Sequence, residues 1–349
     1  MSSSAEASKI LPMTTGARFR AAIVIATLAP FAIAIALAGQ PPFAVRGLSA
    51  VFALLGWLST AHVMSTAYIL LNPADHVGVR SPRLTLLAVP LLLLGATFAA
   101  LLGLPLGATL AFMLVYVHYG MWHFGRQNIG VLTFVSRVSL ARPVNGFERT
   151  TIMLQVAAGM FAAYAVFAPG LMLNPRVYPF DLSMIDPVLQ LGWYVGLAIN
   201  VALVPMVAWH MIGNWRDYDP PTAVIYLAAA FFYLPVFVTR NPLIALTAWT
   251  VAHGLQYLVI LAFHAASRPR PLLATAGLAA AVAGGYLVWR VSGEVQGGDD
   301  VMAVKIAVAL ITGLTLVHYW VDQFLWKFNT PERRAWLLQH YGFLFERTG

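Results

Sequence analysis

Nine histidines and no cysteine define the chemistry open to this 349-residue chain. Without thiols, disulfides, iron–sulfur clusters, thiolate-ligated haem and covalently attached c-type haem are excluded, so a bound metal must rely on imidazole and oxygen. Seven histidines fall in apolar segments: His62, His118, His123, His210, His253, His264 and His318. Asp322 follows His318 by four residues, which places both side chains on one helix face. A carboxylate in an apolar helix is costly and faces a cavity or a partner. Asp322 therefore reads as a metal ligand or as the acceptor that orients a ligating imidazole, the alternative being a plain ion pair with Lys327 or Arg126. Imidazoles with one carboxylate suit iron, copper or zinc, and five to seven such groups exceed the needs of a four-coordinate zinc. The set implies a dinuclear centre, or one ion with further imidazoles around it.

The other histidines divide by position. His253 and His264 are eleven residues apart, about 20° from eclipsed at 100° per residue, so they share a face three turns apart. Gln256 and Tyr257 lie within a turn of His253 and are placed to orient its ring or a substrate, as Tyr319 is beside His318. His264 precedes Ser267-Arg268-Pro269-Arg270, where a headgroup contact is an equal reading. His118 and His123 diverge by about 140° on an ideal helix and converge only if Gly120 or Gly125 bends it. His118 is the more secure ligand of the two, His123 having an alternative place in an aromatic belt beside Trp122. His62, among Ser59, Thr60, Ser65 and Thr66, is open to a structural hydrogen bond between helices. His210, at a helix end, is open to a role at the helix dipole. His76 and His340 fall in a loop and in the tail and are expected to be solvated.

The elements that carry these residues follow from composition. With 60% hydrophobic and 10% charged residues, the chain lacks the polar surface of a water-soluble domain. Apolar stretches of about 20 residues, the length that spans a hydrocarbon core, recur from Arg18 to Phe328. The predicted architecture is an all-α polytopic membrane bundle of ten helices, at 18–39, 48–71, 84–102, 105–124, 150–170, 187–211, 221–239, 242–265, 271–291 and 301–328. Pro41-Pro42, Asn72-Pro73, Ser81-Pro82, Pro105, Pro220-Pro221, Asn241-Pro242 and Pro269 punctuate it. The first helix lacks the pattern of a cleaved signal and reads as retained. Residues 127–149 read as an interfacial amphipathic helix and 329–349 as a surface tail, with no second domain.

Alternating the ten helices puts sixteen of the 21 Lys and Arg on one set of loops, which predicts both termini in the cytoplasm of an inner-membrane protein. The formal charge of +8 is dispersed among short loops, so it marks topology rather than a nucleic-acid surface. All seven helix histidines lie in even-numbered helices, in the middle or the C-terminal half. In this topology, His62, His118, His253 and His318 sit roughly 9 to 18 Å below the cytoplasmic helix ends.

This pattern resembles the histidine-rich integral membrane non-haem iron oxygenases, which act on lipids and isoprenoids from the cytosolic side. The desaturase and hydroxylase branch carries clustered HxxxH and HxxHH boxes, which this chain lacks. The bacterial Brp/Blh-type β-carotene dioxygenases, of similar size and with dispersed histidines, are the nearer comparison. The likeness is one of architecture and carries no residue role. It implies an oxygenase or oxidase using non-haem iron, one or two ions, on a lipid or isoprenoid-like substrate, with an electron donor where the reaction needs one. Two other classes fit the histidines: a b-type haem protein with two axial imidazoles, and a metal- or proton-coupled transporter. Transport ranks lower, because the outer half of the helices offers Lys305, Asn200, Gln190 and little else.

Overall fold

The computed structural model describes residues 14–37, 49–140, 142–167, 185–239, 242–296, 300–325 and 330–344. Among these the structure is helices and turns, with no strand. The helices are α1 (Thr15–Leu37), α2 (Ser49–Leu70), α3 (Val89–Gly103), α4 (Leu106–Leu140), α5 (Gly146–Phe167), α6 (Asp186–Gly213), α7 (Pro220–Ala230), α8 (Leu234–Thr239), α9 (Pro242–Ala266), α10 (Pro271–Gln296), α11 (Val301–Leu325) and α12 (Pro331–Tyr341). A single π-turn, Leu84–Ala88, leads into α3. Four helices begin on proline, whose missing N–H costs nothing in a first turn. Asp219 caps α7, its Oδ1 accepting from the Thr222 N–H at 3.1 Å.

Among the described residues, six helical stretches are long and apolar enough to cross a membrane: Thr15–Leu37, Leu84–Gly103, Asp186–Gly213, Ile244–Ala266, Pro271–Val295 and Val301–Phe324. That length and composition suggest an integral membrane protein. Leu272, Leu191, Leu92 and Ile25 lie exposed on the outer surface, as a lipid-facing perimeter requires.

Four helices close a ring: α2 packs on α9, α9 on α4, α4 on α11, and α11 on α2. Of the apolar window of α9, 67% is buried, against 11% for α10, so α9 is the central member and α10 a perimeter one. Around the ring, α1 lies on α9, α3 on α11 and α10 on α2, with α5 and α6 paired beside α4. Close approach of α10 to α2 depends on Gly285, where a Cβ would lie 2.5 Å from the Ala61 Cα.

Two predicted elements are corrected. The fourth helix does not stop near 124: α4 continues to Leu140, and residues 127–140 form no separate interfacial helix. Ile129, Val131, Leu132, Phe134 and Val135 are buried with Phe19, Ile225, Tyr226, Leu337 and Tyr341, so the hydrophobic face meets protein rather than headgroups. The predicted helix at 221–239 breaks into α7 and α8 at a turn through Phe231, Phe232 and Tyr233, with the Tyr233 hydroxyl donating to the Met121 carbonyl at 2.9 Å. The tail also packs, as α12, through Trp336, Leu337, His340 and Tyr341. The Pro41-Pro42 break, Lys9, Arg46, Arg176, Arg240, Asn241, Lys327, Arg347 and the helix ends predicted at 39, 170 and 328 lie outside the described residues.

Filling the Gly285 contact should force two backbones apart. Gly285→Leu is expected to cost about 1–3 kcal/mol, as overpacking does, and to lower the thermal midpoint in detergent. An unchanged midpoint would show that α2 and α10 are not held at this distance.

A candidate metal centre in the helix ring

The ring helices each contribute a histidine to one buried cluster: His62 from α2, His123 from α4, His253 from α9 and His318 from α11. The imidazoles form a closed array. Ring centres are 4.9 Å apart for His62–His253 and for His62–His318, 5.1 Å for His123–His253 and 5.3 Å for His123–His318. His253 and His318 face each other across it at 5.9 Å. Asp322 joins one turn after His318, its Oδ2 3.7 Å from His318 Nε2 and 3.6 Å from His123 Nε2. Donor atoms in His62, His253 and His318 lie within 4.8 Å of one another, as do those in His123, His318 and Asp322, so either trio could hold a metal ion.

The dimensions suit one ion. With metal–nitrogen bonds of about 2.1 Å and an imidazole radius of about 1.1 Å, ring centres sit about 3.2 Å from the metal, which puts neighbouring rings about 4.5–5.2 Å apart. The observed sides of the array match that spacing. Hydrogen bonding points the same way. Both ring nitrogens of His253, with Nε2 of His123 and of His318, are buried without a hydrogen-bond partner. Leaving these polar atoms unsatisfied in an apolar bundle is costly, and a shared cation would satisfy one nitrogen of each ring.

Neighbouring residues fix the array. His318 Nδ1 lies 2.7 Å from Thr66 Oγ1, whose other neighbour is the Tyr257 hydroxyl at 3.4 Å. With Nδ1 engaged, Nε2 is the nitrogen His318 offers. Gly254 admits the His62 ring, since a Cβ there would lie 2.8 Å from His62 Nδ1. The Phe124 ring covers His253 at 4.3 Å and Tyr319 covers His123 at 4.4 Å.

Three cavities adjoin the cluster. One of about 480 Å³ includes His62, Thr60, Trp289 and Thr315 in its wall, and one of about 330 Å³ includes Met113, Val117, Trp249 and Val308. Both share Tyr116, Phe124, Leu246, Thr250, Ile311 and Tyr319, and neither is lined by Asp, Glu, Lys or Arg. The third, about 320 Å³, has the most polar lining of the three, with His123, Asp322, Arg126, Gln127, Tyr257 and Gln323 beside Trp122, Val131, Phe134 and Ile260. The candidate centre thus borders chambers of different polarity.

Of the expected site residues, His62, His123, His253, His318, Asp322, Tyr257 and Tyr319 come together, and four do not take their expected places. His118 points elsewhere, Nδ1 2.8 Å from the Leu114 carbonyl and hydrogen-bonded to the Tyr164 hydroxyl. Because α4 stays helical through Gly120 and Gly125, nothing brings His118 and His123 to one side, and His123 is the one that joins. The glycines instead make room for neighbours, a Cβ at Gly120 falling 2.8 Å from the Tyr319 hydroxyl. His210 stacks on Phe147 at 4.3 Å beside Asn145 and Asn214. That region is held by a reciprocal cap in which Glu148 accepts from the Asn145 N–H at 2.8 Å and Asn145 Oδ1 accepts from the Glu148 N–H at 2.9 Å. Gln256 does not touch the His253 ring: its amide donates to Thr27 Oγ1 at 2.9 Å and accepts from Gln127, which also donates to the His253 carbonyl at 2.9 Å. His264 belongs to a second group with Asp75 and His340.

Of the remaining two, His76 is partly exposed, with Nε2 3.2 Å from the Ile69 carbonyl, whereas His340 is not solvated as expected but 5% exposed. Burial, reinforced by the nearby His264 and Arg268, pushes His340 down to about 4 and keeps it neutral at pH 7.

No family model, curated protein or solved structure matches the chain.

If Thr66 sets the orientation of His318, Thr66→Val should weaken metal binding about 10–100-fold, the usual effect of losing such a partner, while Thr66→Ser retains it. Competition against a chelator measures this, and equal retention by the valine variant would remove Thr66 from the site.

Proposed function

We propose that the protein is a membrane-embedded non-haem iron oxygenase acting on a lipophilic substrate. The observation that carries the reading is the array of four mutually packed imidazoles and Asp322, placed at the wall of an apolar chamber without charged lining residues. Four imidazoles with one carboxylate are a ligand mix that suits iron and leaves an octahedral position open. Iron bound there supplies dioxygen activation. His318 offers a single nitrogen to both possible trios, which favours one ion over two.

The residues divide the remaining work. Tyr116, Phe124, Trp249 and Tyr319 provide an apolar, aromatic bed that orients an uncharged lipid or isoprenoid-like chain and excludes water. Thr66 and Tyr257 hold the His318 side, and Gly254 sets the place of His62. Arg126, Gln127 and Gln323 in the more polar chamber give protons, or electrons from a donor, an approach separate from that of the substrate. Brp/Blh-type enzymes remain the family comparison for such chemistry.

Haem b is disfavoured by packing. A porphyrin needs a plane between two opposed imidazoles, whereas His62 and His123 each bridge His253 and His318 at 4.9–5.3 Å. In the membrane, we assign ten crossings, with α7 and α8 together forming one, and both termini on the cytoplasmic side of an inner membrane. The charge asymmetry of the loops supports this.

Purified protein loaded with ferrous iron should consume dioxygen when offered lipids, isoprenoids or polyenes in detergent, and place labelled oxygen in the product. His253→Ala and His318→Ala should lose iron and oxygen uptake with helicity retained, whereas His118→Ala keeps both. Full iron retention by both alanine variants would sink the proposal.

A further inference from the structure

Asp75, His264 and His340 converge from three elements: the turn Pro73–Asp75 after α2, the last turn of α9, and α12. All three are buried, Asp75 and His264 at 0% exposure, and their donor atoms lie within 4.8 Å of one another. His264 is eleven residues beyond His253, about 16 Å along α9, so this group is separate from the central array.

Its hydrogen bonding is incomplete in a way that suits a cation. Neither Asp75 carboxylate oxygen and neither His264 ring nitrogen has a hydrogen-bond partner, although Oδ1 lies 3.2 Å from His264 Nε2 and 3.1 Å from Arg268 Nη1. Ser267 defines the state of His340. Its hydroxyl donates to the His264 carbonyl at 2.7 Å, so toward His340 Nδ1, at 3.0 Å, it can only accept. His340 therefore carries a proton on Nδ1 in this contact, which fixes the orientation of its ring. A ligating histidine is commonly held in this way, by a hydrogen bond at its other nitrogen.

The surroundings are built to bring α12 to this point. Gly78 adopts a φ of +71°, and a Cβ there would lie 3.3 Å from the Arg333 nitrogen. Arg333, itself buried, donates to the Asp75 carbonyl at 2.7 Å and lies 3.8 Å over the Trp336 ring. The Tyr341 hydroxyl donates to the Ile260 carbonyl at 3.0 Å.

We propose that Asp75, His264 and His340 form a second metal site, for Zn²⁺, which fastens α12 to α9 and to the loop after α2. Two imidazoles and one carboxylate are a recognised zinc ligand set, with a water completing the tetrahedron. Arg268 competes for the same carboxylate, so its removal tightens the site. This site stands independently of the iron assignment.

The test uses full-length, detergent-purified protein, stripped with chelator and then given Zn²⁺ as the sole metal. In a His253→Ala/His318→Ala background, which disables the central array, about one zinc per chain should remain, as a single three-ligand site holds. Adding Asp75→Asn or His340→Gln should remove it. In the otherwise unaltered chain the same two changes should lower bound zinc by about one per chain and reduce the rise in thermal midpoint that Zn²⁺ gives, and Arg268→Gln should raise zinc affinity severalfold. An ion-pair cluster without metal would instead only lose stability on Arg268→Gln. Zinc binding and stabilisation that ignore Asp75 and His340 in both backgrounds would overturn the site, as would absence of any zinc-dependent stabilisation. Zinc retained here while the central array takes no iron would overturn the oxygenase reading and leave this one standing.

Discussion

Imidazole and carboxylate groups are expensive to place among apolar helices unless something satisfies them, and this constraint organises the bundle. His62, His123, His253 and His318 come from four helices distant in sequence, yet pack ring against ring at 4.9–5.3 Å. Hydrophobic burial alone gives no reason to gather them, because each would do better with a hydroxyl or carbonyl of its own, as His118 does with Tyr164. Their gathering makes sense if a cation sits among them. The contacts of α2, α4, α9 and α11 and the clearance at Gly254 then follow as conditions for bringing the rings to one point.

The same constraint shapes what surrounds the cluster. On one side Phe124, Tyr319, Trp249 and Ile311 leave apolar space; on the other, Arg126, Gln127 and Gln323 border Asp322. Under the proposed function, the first chamber would take an apolar molecule and the second would admit water and protons. Beyond the polar side, α12 and the extended α4 pack Phe19, Leu132, Phe134, Leu337 and Tyr341 into a core that continues past the central array. The tail is thus part of the architecture.

Much of this was legible in the sequence because lipid-length apolar runs and proline breaks leave few ways to draw the helices. The apolar setting of seven histidines and the His318–Asp322 spacing included every ring member, but did not separate them from His118, His210 and His264. What escaped depended on packing. Helical spacing separates His118 from His123 but does not say which faces inward, and Gly120 and Gly125, read as possible bends, instead admit Tyr319 and a side chain of α5. Residues 129–135 have an amphipathic pattern whether the apolar face meets headgroups or protein, so only tertiary contact with α12 distinguishes the two. His264 was visible as a candidate ligand, but its partners Asp75 and His340 lie far away in a loop and a tail, where no periodic signal marks them. Thr66 was noticed only as a neighbour of His62; its bond to His318 crosses between helices.

The most direct measurement is the iron X-ray absorption spectrum of the detergent-purified, iron-loaded protein, taken together with its visible spectrum. The account expects one iron per chain in a shell of nitrogen and oxygen with the scattering of about four imidazoles, and no haem band. A porphyrin signature, or iron bound without imidazole, would contradict it.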